Sequence, residues 1–139
     1  MNVTTKGRYA LRVMMDLADY GGSGCLSLKT IADNNGISMK YLESIVSELK
    51  KSGIITSTRG KDGGYTLNRL PGEYTVGEIL RCVEENLAPV SCISSGSVNC
   101  EQAAFCRTAP MWKELDDITN SYLNSVSLED LITGNKWKG

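Results

Sequence analysis

The chain contains no histidine. That removes the side chain most often used as a general base near neutral pH and the commonest nitrogen ligand of metals. No Gly-Lys loop is present to cradle a phosphate, and no cysteine stands beside a plausible base. An enzyme is therefore not expected. No apolar run approaches the roughly 18–20 residues of a membrane span. The N-terminus has no charged-then-apolar segment followed by a cleavage site. A cytoplasmic protein without membrane contact is the expectation. Disulfides are uncommon there, and an odd count of five cysteines argues against a pure disulfide framework.

What is present is unevenly distributed over the 139 residues, enough for one compact domain or a small domain with an extension. Residues 1–70 carry a net charge of +4 and residues 71–139 a net charge of −5. A basic half can meet phosphates, although +4 alone is a weak signal. Three of the five cysteines, Cys92, Cys100 and Cys106, fall in the polar stretch CISSGSVNCEQAAFC.

The front half has the order helix, turn, helix, hairpin. YALRVMMDLADY (9–20) places Ala10, Val13, Met14, Leu17 and Ala18 on one apolar face. Ser27 is a candidate N-cap for a helix burying Leu28, Ile31 and Ala32, and Gly36 sits where a tight turn needs positive φ. Ser38 can cap the next helix, which buries Leu42, Ile45, Val46 and Leu49 and stops at Gly53. A small residue before the turn and apolar residues after it form a helix-turn-helix pattern. The following run, IITSTRGKDGGYTLNRL (54–70), reads as a β-hairpin with RGKDGG at its tip. A hairpin directly after a reader helix is a wing. The fold class expected is mainly α with a small β-hairpin wing, a winged helix-turn-helix with a long dimerisation helix.

This arrangement points to double-stranded DNA. The reader helix presents Ser38, Lys40, Tyr41, Glu43 and Ser44 near its N-terminus, where base edges are read in the major groove. Glu43 can accept from a cytosine amino group, and Ser38 can bond a base or a phosphate. Arg59, Gly60 and Lys61 at the wing tip suit a narrow minor groove, because the glycines remove bulk and the cations meet enhanced negative potential. Lys6, Arg8, Lys40 and Lys51 suit phosphate.

The back half reads differently. TVGEILRCVEE (75–85) is a helix with Thr75 and Glu78 as a capping box and Cys82 beside its core face, a small buried hydrophobe. Cys25, after glycines, is expected to be more exposed. Periodicity is lost from Asn86 to Ala109. Thr108 is expected to cap a helix with Pro110 at its first position. PMWKELDDITNSYLNSVS (110–127) carries Met111, Leu115, Ile118, Tyr122 and Val126 along one stripe. In so small a chain such a stripe calls for a partner, and a second copy is the economical choice. A homodimer offers two reader helices to a near-palindromic operator. Ser127 and Asp130 open a last short helix. The acidic pairs Glu84-Glu85 and Asp116-Asp117 read as solvated helix faces. The expected division is 1–85 as the DNA-binding domain, 86–109 as the cysteine-rich loop and 110–139 as the dimerisation helix with a terminal short helix.

TTKGRYALRVMMDLA, GISMKYLESIVSELKKSGII, RGKDGGYTL, TVGEIL, the cysteine loop before a Trp-containing helix and a terminal SLEDL occur in the right order. Together they resemble the family of bacterial transcription regulators that includes IscR, NsrR and CymR, closest to the IscR branch. The resemblance implies a winged helix dimerised by the long helix, with Ser38, Tyr41, Glu43 and Arg59 on DNA. It also implies an iron–sulfur cluster held by Cys92, Cys100 and Cys106, with 2Fe–2S favoured and 4Fe–4S possible. Thiolates are soft, anionic ligands suited to such clusters. The Cys92–Cys100 interval is longer than in those branches. The position of the IscR histidine ligand is Ala109 here, and that of the NsrR aspartate is Arg8. Glu101, Thr108, a carboxylate of the other subunit, Cys82, Cys25 or an exogenous thiol remain open as the fourth ligand. The same residues leave room for a cluster-free regulator controlled by a thiol redox switch or by a partner protein.

Overall fold

The computed structural model describes residues 3–20, 24–60, 63–84, 87, 93–94, 97–98 and 107–138. The first helix, α1 (Thr5–Asp19), starts four residues before the periodic stretch that announces it, because Thr4 accepts a hydrogen bond from Gly7 N in the N-cap position. Helix α2 (Leu28–Asn35) follows Ser27, whose hydroxyl accepts from Thr30 N, and ends on Gly36 at φ +63°. Helix α3 (Met39–Lys51) is capped by Ser38, with Lys50 and Lys51 in its last turn, where cations meet the negative end of the helix dipole.

Strands β1 (Ile55–Thr58) and β2 (Gly64–Leu67) pair antiparallel from Ile55–Leu67 to Thr58–Gly64. Leu26 adds a third short edge, exchanging two 2.9 Å backbone hydrogen bonds with Tyr65. Gly64 lies so close over the Leu26 backbone that a Cβ would collide with it. The wing is thus anchored to the segment preceding α2.

Helix α4 (Val76–Val83) is capped by Thr75. Only half of the expected capping box forms. Glu78 turns its carboxylate to Arg69, with two 2.9 Å hydrogen bonds, instead of back to Thr75. A bidentate guanidinium–carboxylate pair outcompetes a single backbone donor. After α4 come two two-residue strands, β3 (Ile93–Ser94) and β4 (Ser97–Val98), paired antiparallel. Helix α5 (Ala109–Ser125) and helix α6 (Leu128–Thr133) complete the fold. Pro110 is the second helical residue rather than the first, and Thr108 stands at the N-cap position without a side-chain capping bond.

One core gathers Ala10, Val13, Met14 and Leu17 of α1, Ile31 of α2, Leu42, Ile45, Val46 and Leu49 of α3, Ile79 of α4 and Leu128 of α6. Tyr74 sits in it fully buried. Its hydroxyl donates to Ile54 O at 2.7 Å and accepts from Asn68 N and Arg69 N at 3.1 Å, tying the exit of α3 to the chain after the wing. A smaller cluster of Val76, Leu80, Leu87 and Val126 lies between α4 and the end of α5. Val126 therefore leaves the stripe expected for α5. It is the C-cap, extended and buried, and its carbonyl accepts from Val76 N at 2.8 Å.

Candidate nucleic-acid interface and cysteine hairpin

The four apolar residues of α3 face the core, which leaves Ser38, Lys40, Glu43 and Ser44 outward on one exposed edge. The Ser38 oxygen accepts from Tyr41 N at 3.1 Å, so its own proton remains available to an acceptor outside. Tyr41 is half-buried, its ring meeting Tyr9 of α1 edge-on at 5.9 Å and 89°. Between α3 and β2, a groove is lined by Glu43, Val46, Ser47, Lys50, Lys51 and Tyr65. At the wing tip Gly63 N donates to Gly60 O at 3.0 Å, closing the turn, and Gly60 holds φ +116°. Arg59 is exposed at that turn. Lys61 lies outside the described residues. The structure thus brings Ser38, Lys40, Tyr41 and Glu43 onto one helix end and carries Arg59 and Gly60 on an adjoining hairpin.

Lys6, a phosphate candidate by sequence, is instead engaged by Glu48 of α3 at 2.6 Å. The acidic pair Glu84-Glu85 is not simply a solvated face. Glu84 ends α4 and accepts from Thr4 N at 2.9 Å and from Thr4 Oγ1 at 2.6 Å. A Cβ on Gly7 would strike that carboxylate, so glycine permits the approach. A carboxylate at a helix N-terminus is stabilising by about 0.3–1 kcal/mol. The end of α4, next to the cysteine-rich segment, therefore seats the start of α1, which in turn packs Tyr9 on Tyr41.

Helix α5 has two unlike faces. Outward lie Met111 at 52% exposure, Leu115 at 41%, Ile118 at 59% and Tyr122 at 51%. Inward, Arg81 of α4 donates to Asn124 Oδ1 at 2.8 Å and to Asn120 Oδ1 at 3.0 Å. One turn before Asn120 lies Asp116, 2% exposed, with no hydrogen-bond partner for Oδ2 among the described residues. The expectation of a solvated Asp116 is thus overturned, while Asp117 is exposed and pairs with Lys113 at 2.5 Å. Strands β3 and β4 pack against this helix. In sequence Cys92 immediately precedes β3, and Cys100 is the second residue after β4. Cys92, Cys100 and Cys106 themselves, with Glu101, lie outside the described residues.

The remaining thiols are placed. Cys25 is half-buried. Cys82 is half-buried, packs on the larger core and donates to Glu78 O at 3.3 Å. Burial pushes its thiol above the ordinary range, a hydrogen bond with Ser52 opposing in part. Such a site disfavours the thiolate a metal needs. Among the described residues no group of three His, Cys, Asp or Glu is gathered for a metal. The donor chemistry nevertheless fits an iron–sulfur cluster. In sequence Cys92 precedes, and Cys100 and Cys106 follow, the two strands packed on α5, and α5 buries a carboxylate oxygen for which no described residue is a hydrogen-bond partner.

Sequence reasoning passed over Arg12, and it read Glu84 and Asp116 only as solvated faces. The i, i+3, i+7 spacing of Thr5, Arg8 and Arg12 could have flagged the first. Glu84 has no local signal, because its partner Thr4 lies 80 residues away.

The family model described as Rrf2, iron-dependent transcriptional regulator, matches residues 3–134. An HTH-type transcriptional regulator IscR of Xenorhabdus nematophila is 38% identical over 132 residues, 95% of this chain and 79% of that protein. The solved structure of CymR, the global cysteine regulator of B. subtilis, superimposes with a TM-score of 0.78 at 38% identity, covering 96% of this chain and 97% of that one. IscR of T. potens gives a TM-score of 0.76 at 34% identity, covering 97% and 88%. No helix among the described residues is long and apolar enough to cross a membrane.

Proposed function

Because this chain belongs to the Rrf2 family of transcriptional regulators and stands with its IscR branch, we propose that it is a dimeric, DNA-binding regulator, not an enzyme, whose operator affinity follows the state of an iron–sulfur cluster at Cys92, Cys100 and Cys106. The observation that carries this reading is the docking of β3 and β4, the strands that Cys92 and Cys100 flank in sequence, against α5. The helix that would feel the cysteine loop is also the helix that offers the apolar stripe.

Residues 1–85 read DNA, 86–109 hold the cofactor and 110–139 join two copies. Ser38, Lys40, Tyr41 and Glu43 enter the major groove of a near-palindromic operator, and Arg59, Gly60 and Lys61 follow the minor groove. When bound, the cluster, 2Fe–2S by preference or 4Fe–4S, supplies a one-electron centre sensitive to iron and oxidants. The chain's part is to pass a change in the 86–109 segment along two contacts. One runs through α5, which sets the spacing of the two α3 helices across the dimer. The other runs through Glu84 to Thr4 and so to Tyr9 and Tyr41. The cytoplasm, with its reducing conditions, suits free thiols.

The test is anaerobic purification with iron and acid-labile sulfide counted per chain, the visible spectrum recorded, and Cys92→Ser as control. Matched iron and sulfide with a visible band lost in the variant is the expected result. Gel-shift affinity should then differ between loaded and unloaded protein. A protein that stays colourless and iron-free after reconstitution eliminates the cluster. The likeness to CymR favours a second reading in that event, a cluster-free regulator controlled by a thiol switch or a partner protein.

A further inference from the structure

The first two turns of α1 carry a basic feature that neither the reader helix nor the wing accounts for. Thr5, Arg8, Tyr9 and Arg12 line a niche of about 120 Å³. Arg8 Nη2 donates to Thr5 Oγ1 at 3.3 Å, and the Arg12 guanidinium lies over the Tyr9 ring at 5.2 Å. Both arginines are exposed. The ion pairs among the described residues are Lys6–Glu48, Arg69–Glu78 and Lys113–Asp117, so neither guanidinium has a carboxylate. Arg69 shows the contrast, since both of its outer nitrogens are taken up by Glu78. Two unpaired guanidiniums one turn apart, one steadied by a hydroxyl and one by a ring, form a pre-organised receptor for an anion with several oxygens.

The place of the niche selects the anion. Tyr9, its floor, meets Tyr41 edge-on in the first turn of α3. We infer that Arg8 and Arg12, with the Thr5 hydroxyl, seat a backbone phosphate of the operator beside the bases that α3 reads. This rests on the reading of α3 as the DNA-reading helix. A phosphate diester held there would add affinity without sequence information and fix the register of α3 in its groove. It would also hold the Tyr9 ring against Tyr41 from the far side.

The experiment uses the full chain and two probes. One is a duplex selected by the protein from a random-sequence pool, the other a shuffled duplex of equal composition. Affinity is measured by fluorescence anisotropy across a salt series for the wild type, Arg8→Gln, Arg12→Gln, Arg12→Lys and the distant control Lys136→Gln. Each Arg→Gln change should lower the slope of log K against log salt by about 0.9 and weaken both duplexes by the same factor. Arg12→Lys should keep the slope, because it keeps the charge. An unchanged slope, or a loss confined to the selected duplex, overturns the seat. So does a changed dimer state in sedimentation, which would make the niche a contact between copies, and so does protection of the arginines by inorganic phosphate with no effect on DNA. If the wild type binds neither duplex, it is the reading of α3 that fails, and the salt series distinguishes that result from failure of the seat alone.

Discussion

Helices α3 and α5 are both amphipathic, yet they divide their residues in opposite ways. Leu42, Ile45, Val46 and Leu49 of α3 are buried, and what the helix shows outward beyond Met39 at its first position is serine, lysine and glutamate. On α5 the only buried residues are Ala109 and Asp116, while Met111, Leu115, Ile118 and Tyr122 face out. A helix with its apolar side satisfied within the chain is free to present polar groups to a polar surface such as a DNA groove. A helix with four large apolar side chains outward is half of an interface. The difference fits the function proposed above, in which α3 meets nucleic acid and α5 meets a second copy.

The sharpest way to break it is to charge the α5 face. Leu115→Glu with Ile118→Glu is expected to convert the protein to a monomer in sedimentation equilibrium. Operator affinity should fall by about 100-fold or more, because two half-sites are no longer bound by one linked molecule. A dimer that survives this pair of charges places the interface elsewhere and removes the contrast between the helices.

Next in size is the same truncation made on each helix. Ile45→Ala on α3 opens a cavity in the core and should cost about 2–5 kcal/mol in urea unfolding. Ile118→Ala, measured in a Leu115→Glu background that keeps Ile118, should stay within about 0.5 kcal/mol, since Ile118 is 59% exposed on the chain. Equal costs would mean that α5 packs its outward face within the chain.

Most of the α3 side was legible in the sequence, for a local reason. Caps at Ser27 and Ser38, the αL turn at Gly36 and the apolar period of α3 are all set by residues within a few positions of one another, and the helices follow them closely. The wing was legible because glycine marks its turn. The α5 side was half legible. The stripe Met111, Leu115, Ile118, Tyr122 follows from period alone, but Val126 left it because the chain turns to meet Val76, a pairing between residues 50 positions apart. Glu78 chose Arg69 over its own cap, and Glu84 chose the start of α1, for the same reason. Long-range partners decide where charge goes, and a reading by local pattern sees only the charge.

A smaller effect sharpens the contrast inside α5 itself. Asp116 is buried with an oxygen that no described residue satisfies, whereas its neighbour Asp117 is exposed and paired with Lys113. Asp116→Asn changes a buried carboxylate oxygen that no described residue hydrogen-bonds and should stabilise the cofactor-free protein by about 1 kcal/mol. Asp117→Asn loses an exposed i,i+4 pair and should cost about 0.3–0.5 kcal/mol. Opposite signs in urea midpoints at neutral pH are the expected outcome. A destabilising Asp116→Asn would show that this carboxylate has a partner in solution, and the inward face of α5 would then be as satisfied as that of α3.

The smallest effect concerns the thiol on the α3 side. Cys82 lies near Glu48 and Ser52 at the end of α3, and burial raises its pKa above the ordinary thiol value. The neutral form is therefore favoured, and at any pH below that raised value the reactive thiolate is scarcer than in a free thiol. Alkylation of Cys82 in the folded protein, followed by mass spectrometry, should be slower than that of glutathione, and its rate should rise at higher pH. The sign is fixed by the cause, since desolvation penalises the anion whatever the reagent. If Cys92, Cys100 and Cys106 act as ligands or switches, their cluster-free forms should react ahead of Cys82 under the same conditions. A Cys82 that reacts first would place a responsive thiol against the reader helix, and the division between an α3 side that reads and an α5 side that senses would fall.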